Sequence, residues 1–151
     1  MKQLIYRGIQ SGFVGGVLLG LFFKWIEQST GSKVYTLLLN IDFFPGVKDK
    51  LAEPIEFGIH LFVSLLIGVT YFFWMAYGAK FVPIPKMWFN PIPAGLLYGI
   101  LPIGLFVPLT LISERTPEIT DMTAFTWWMV GHVGYGLILC LYGLIGTQKT
   151  N

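Results

Sequence analysis

Residues 55–77 read IEFGIHLFVSLLIGVTYFFWMAY, and after Glu56 no charged side chain occurs until Lys80. A helix rising about 1.5 Å per residue needs about 20 residues to cross a hydrocarbon core roughly 30 Å thick. This stretch is long enough, and its apolar residues run on without the period-two alternation of a barrel strand. Working outward, residues 4–25, 91–112 and 125–145 have the same character. Lipid cannot satisfy an open backbone edge, so each stretch is expected to be a helix. The expected fold is an all-α membrane protein with four transmembrane helices, residues 1–151 forming one domain.

Composition points the same way. The chain is 54% hydrophobic, 17% aromatic and 12% charged, where an ordinary soluble domain carries about 25% charged residues. Lys2 and Arg7 ahead of an apolar run look like the start of a signal peptide. The run is long, however, ends at Lys24-Trp25 and meets no small-residue cleavage site, so it reads as a retained first span. Cys140 is the single cysteine and lies in an apolar stretch, which rules out an internal disulfide framework.

The connections differ in kind. Residues 26–54 contain Tyr35-Thr36-Leu37-Leu38-Leu39 and Phe43-Phe44-Pro45-Gly46, which fits an interfacial helix or re-entrant stretch better than a free loop. Residues 78–90, with Pro83, Pro85, Lys80, Lys86 and Trp88, read as a tight interfacial turn. The third connection is short and charged around Glu114, Arg115 and Glu118.

Four spans put the N-terminus, the second connection and the C-terminus on one face. That face carries Lys2, Arg7, Lys80, Lys86 and Lys149 and no acid. The opposite face carries Glu27, Asp42, Asp49, Glu53, Glu56, Glu114, Glu118 and Asp121, together with Lys24, Lys33, Lys48, Lys50 and Arg115. Lys and Arg tie at five on each face, so the positive-inside count alone does not choose. Unopposed cations suit an anionic cytoplasmic leaflet, which places both termini in the cytoplasm.

The halves resemble one another. Gly12 and Gly16 correspond to Gly95 and Gly99 at an offset of 83, and Gly58-Ile59-His60 to Val130-Gly131-His132 at an offset of 72. The difference falls in the longer first connection. Two-span units enter the membrane in the same sense, so the expectation is two tandem helical hairpins related by a pseudo-two-fold axis along the membrane normal.

Gly8, Gly12, Gly16 and Gly20 recur every fourth residue and form a smooth ridge on a helix. Close helix packing within the chain is one reading; a glycine-lined pore, or a homo-oligomer or membrane partner seated on the ridge, is the other. In the second span Glu56, His60, Ser64 and Gly68 share one face, and in the fourth His132 is flanked by Trp128 and Tyr135. Ionisable groups within spans face the bundle interior or a wet cavity. The histidines therefore read as polar glue between helices, as a proton-relay or polar-solute site with Glu56, or as axial ligands of a haem or a metal. No metal-spaced ligand set occurs, and the cofactor is left open. At the acid-rich ends of the spans, Lys24, Glu27, Glu114 and Arg115 form either a solvated belt or a charged vestibule beside Glu53 and Glu56. Pro102 and Pro108 interrupt the third span and are expected to kink it.

No phosphate loop, G-x-S-x-G, H-E-x-x-H or nucleic-acid patch is present. The expectation is a non-enzymatic protein whose partner is the lipid bilayer, with no nucleic acid. Candidate binding residues are His60, His132, Glu56, Ser64, Tyr135, Arg115, Glu114, Glu27 and Lys24.

Gly12–Trp25 closed by Glu27, Glu56-Phe57-Gly58-Ile59-His60, Pro91–Pro108 and Gly131-His132-Val133-Gly134-Tyr135-Gly136 together resemble the YagU-like/YqhR-like family of bacterial inner-membrane proteins. The likeness covers most of the chain. One difference is that Arg115-Thr116-Pro117 follows the third span here, where the resemblance would put such an element after the first. The resemblance implies a bacterial cytoplasmic membrane and brings with it no established activity and no active-site residues.

Overall fold

The computed structural model describes residues 1–40, 51–113 and 115–148. Phe43-Phe44-Pro45-Gly46, Asp42, Lys48, Asp49, Lys50, Glu114 and Lys149 lie outside the described residues.

The described residues form α1 (Lys2–Thr30), α2 (Val34–Leu39), α3 (Glu53–Tyr77), α4 (Pro91–Ile100), α5 (Phe106–Ile112) and α6 (Met122–Gln148). Four helical segments are long and apolar enough to cross a membrane: Lys2–Thr30, Glu53–Lys80, Pro91–Ile112 and Met122–Gly146. They overlie the four apolar stretches of the sequence. α1 ends where Gly31 takes a positive φ of 76° and its N–H bonds the Glu27 carbonyl at 3.0 Å. A side chain would strain that backbone, and glycine does not.

The third span is interrupted, but not as a simple kink. α4 gives way to a 3₁₀ turn over Leu101–Leu105 before α5 resumes the helix. Pro102 has no N–H to continue the α-helical ladder, and the turn absorbs the gap. Pro108 lies in the first turn of α5, where N–H groups lack intrahelical partners in any case. The Pro102 carbonyl accepts the Trp128 indole N–H at 3.2 Å.

The helix interfaces are built from small residues. Gly8, Gly12, Gly16 and Gly20 are all buried, and a Cβ on each would run into α3: Val69, Ser64, Ser64 again and Phe57 respectively. The ridge is therefore covered inside the chain, and a partner helix could reach it only by displacing α3. α4 packs on α6 in the same manner, with Gly95 and Gly99 against Gly136. Gly12 and Gly16 meet Ser64, and Gly95 and Gly99 meet Gly136. α1 joins the hairpins through Phe23, stacked on Trp128 at 5.5 Å, and Gly15, which lies under the Tyr135 ring. Arg7 donates to the Gly146 carbonyl at 2.7 Å, bringing both ends of the chain to one end of the bundle.

The outward faces carry the larger apolar groups. Phe13, Leu21, Phe62, Leu66, Leu101, Leu111 and Leu141 are each at least half exposed or nearly so. In water that surface would be a severe aggregation liability, whereas in lipid it is solvated. Without a hydrophobic drive between helices, close approach over glycine supplies the attraction.

Not every glycine has this role. Gly134, in the middle of α6, has nothing within 4 Å of where a Cβ would stand. Gly134→Ala is expected to raise stability by up to about 1 kcal/mol through helix propensity. Gly136→Ala, two residues on, would set its Cβ 2.7 Å from the Gly95 carbonyl oxygen and is expected to destabilise. Thermal melts of the two purified variants, which should move in opposite directions, check the assignment.

Candidate functional site

At the end of the bundle opposite the termini, α1, α2, α3 and the segment after α5 enclose a polar mouth of about 260 Å³. Lys24 and Glu27 reach it from the last turns of α1, Glu53 and Glu56 from the first turn of α3, and Arg115 from beyond α5. Four residues expected at a charged vestibule thus do converge: Lys24, Glu27, Glu56 and Arg115. Glu114 is outside the described residues.

Two of these acids have their oxygens engaged. Glu53 pairs with Lys24 at 2.6 Å and accepts the Tyr35 hydroxyl at 2.9 Å. Burial, the bond to Glu53 and the nearby carboxylates raise the Tyr35 pKa well above its usual value, so the phenol stays a donor. Glu27 accepts the Thr36 backbone N–H at 2.8 Å and its hydroxyl at 2.7 Å. That N–H lies in the first turn of α2 and has no intrahelical partner. Glu27 is thereby an anchor that holds α2 over the mouth, which differs from the ligand-binding part expected of it.

Below the mouth lies a second, mainly apolar chamber of about 420 Å³. His60, His132, Ser64, Tyr135 and Glu56 all line it, so the residues expected from the second and fourth spans share one cavity. Their polar atoms are held differently. His60 Nε2 lies 3.0 Å from the Gly16 carbonyl on the neighbouring helix, and His132 Nδ1 lies 2.8 Å from the Trp128 carbonyl of its own. A carbonyl only accepts, so each of these nitrogens carries the hydrogen and donates. In the neutral ring this leaves His60 Nδ1 and His132 Nε2 as acceptors. The Tyr135 hydroxyl is committed to the Ser64 carbonyl at 3.0 Å, tying α6 to α3. Tyr135 therefore shapes the chamber with its ring rather than offering its hydroxyl.

Glu56 differs from all of these. It is 6% exposed, it is the one buried acid among the described residues, and among those residues its carboxyl makes no hydrogen bond. It lines both cavities, and with Leu39 and Asn40 it forms the neck where they meet. Its oxygens are open to the cavities rather than sealed among the side chains, so a ligand's donor can reach the carboxyl.

The chamber is open sideways. α3 packs on α1 and α4 packs on α6, but α3 and α5 scarcely touch. Phe62, Val63 and Leu105 line the chamber and are also 60%, 47% and 52% exposed, forming an apolar lip between α3 and the 3₁₀ turn that leads into α5.

Glu53, expected beside the vestibule, does line it, whereas Tyr35 and Thr36 belong to the site without having been chosen from sequence. The run Tyr35-Thr36-Leu37-Leu38-Leu39 in the first connection was the available signal for a short helix beside the mouth. Among the described residues no group of three His, Cys, Asp or Glu side chains is placed to hold a metal ion. Comparisons with protein families, curated proteins and solved structures return no match for the chain.

Proposed function

We propose that this is a non-enzymatic, multi-pass protein of the bacterial inner membrane, of the YagU-like kind and with cytoplasmic termini, that binds or conducts a small polar ligand at Glu56, His60 and His132. The observation that carries the reading is the unpartnered Glu56 carboxyl at the neck between the charged mouth and the histidine-lined chamber. A carboxyl there, with a free acceptor nitrogen on each histidine, presents acceptors and so selects a ligand that donates hydrogen bonds or carries positive charge. The matched Gly12–Ser64 and Gly95–Gly136 contacts support tandem hairpins related by a two-fold along the membrane normal. An accessory subunit docking through the glycine ridge has less support, because α3 covers the ridge.

The test is thermal stability of the purified protein titrated with potassium and with ethanolamine as probes. Ethanolamine is expected to raise the melting temperature saturably, by about 2.7 kcal/mol of stabilisation at a 100-fold excess over Kd. Glu56→Gln should abolish the rise, and the His60→Ala/His132→Ala double variant should reduce it. No shift with either probe in the wild-type protein would remove the proposed site.

A further inference from the structure

Resting on that site, we infer that its ligand is a single-chain amphiphile with a donor head, entering from the bilayer between α3 and α5. Its chain would occupy the apolar chamber and its amine or hydroxyl head would meet Glu56 at the neck. Three independent features converge on this chemistry.

The first is size. A bare ion does not need a chamber of about 420 Å³, which falls in the roughly 300–1,000 Å³ range of pockets that bury whole small molecules. The second is the division of polarity. Leu19, Leu38, Leu105 and Leu109 line the chamber, whereas the mouth beyond Glu56 is lined by Lys24, Glu27, Gln28, Glu53 and Arg115. A molecule apolar along its length and polar at one end matches both compartments at once. The third is access. The lip of Phe62, Val63 and Leu105 is exposed where the gap between α3 and α5 faces lipid, so an amphiphile already in the bilayer reaches the chamber without crossing the charged mouth.

The sign of the head follows from what is unpaired. Lys24 is engaged by Glu53, and the Glu56 carboxyl, which makes no hydrogen bond among the described residues, faces both compartments at the junction. A fatty-acid anion would bring a second carboxylate against it, and like charges in a partly desolvated site repel. An amine or hydroxyl attached directly to the chain satisfies it.

The experiment compares dodecylamine, dodecanoate and ethanolamine on the full-length protein in maltoside micelles, by melting temperature and by native mass spectrometry. Dodecylamine is expected to bind as one equivalent and at least about tenfold more tightly than ethanolamine, and dodecanoate not to bind. Leu105→Trp fills the lip at a position that already faces lipid, and Val63→Trp does so from α3. Either is expected to cancel the advantage of dodecylamine while leaving the response to ethanolamine intact, which separates a chain effect from simple micelle partitioning. Equal affinities for dodecylamine and ethanolamine in the wild-type protein would overturn the amphiphile and leave the polar site standing. Binding of dodecanoate as tight as that of dodecylamine would overturn it too, through the head. Absence of any response to either amine would take the site itself away.

Discussion

Gly12→Leu is expected to yield almost no monodisperse folded protein. A Cβ at residue 12 would press on the Ser64 carbonyl oxygen and stand 2.8 Å from the Leu65 Cα. Both are backbone atoms of α3, so no rotamer change relieves the contact. Overpacking a core with a flexible neighbour costs about 1–3 kcal/mol; here α1 and α3 must separate along their length. Separation also breaks the approach of Gly8 to Gly68 and the His60–Gly16 bond. Lipid offers no hydrophobic penalty to hold the helices together, and the loss should exceed about 4 kcal/mol, a large part of a typical 5–15 kcal/mol stability. Phe13→Leu, at a 52% exposed position next door, is the control and should leave the melting temperature within about a degree or two. Size-exclusion profiles and thermal melts of both variants measure this. A Gly12→Leu protein that melts with the wild type would mean that α1 and α3 do not meet as described.

The spans were legible because the physics that sets them is local. Each is a run of apolar residues of bilayer length, and the helical termini fall within a few residues of where hydropathy places them. The glycine ridge was equally legible as a close-approach surface, since four-residue spacing fixes a helix face whatever lies opposite. What lay opposite was not legible: a ridge fits a partner chain as well as α3, and only the fold decides that α3 takes it. The same limit explains the site. Spacing put Glu56, His60 and Ser64 on one face, and the fold then brought His132 and Tyr135 to the same chamber. It could not reveal that Tyr135 spends its hydroxyl on Ser64 or that Glu27 anchors α2. Those depend on distances between segments far apart in sequence. Nor could it reveal the opening between α3 and α5, because Phe62 and Leu105 read as lipid-facing residues like any others. The sequence reading sets the two histidines in correspondence, yet one bonds across to another helix and the other back along its own. Sequence correspondence did not carry that asymmetry.

Glu56→Leu is expected to make the unliganded protein more stable while removing its response to ethanolamine and dodecylamine. The carboxyl makes no hydrogen bond among the described residues and is open to the cavities, so its removal forfeits no bond, while burying a leucine side chain at this 6% exposed position gains about 1.5–3 kcal/mol. Against this stands its place in the first turn of α3, where a negative charge gains about 0.3–1 kcal/mol from the helix dipole. Glu53 remains in the same turn, and its pair with Lys24 does not involve residue 56, so the loss falls toward the lower end. Leucine also extends the apolar lining already formed by Leu38 and Leu109. The net gain should be about 1 kcal/mol or more, a rise of roughly 2–4 °C for a chain of this length. Glu56→Gln keeps a polar group in place and should show the loss of binding without the gain in stability. Melting curves of the three proteins, with and without the amine probes, read both quantities together. A fall of several degrees in Glu56→Leu would show that the carboxyl holds the fold together through a partner, and the case for a ligand at the neck would go with it. Stability recovered at the expense of binding is instead the mark of a group kept for what it binds.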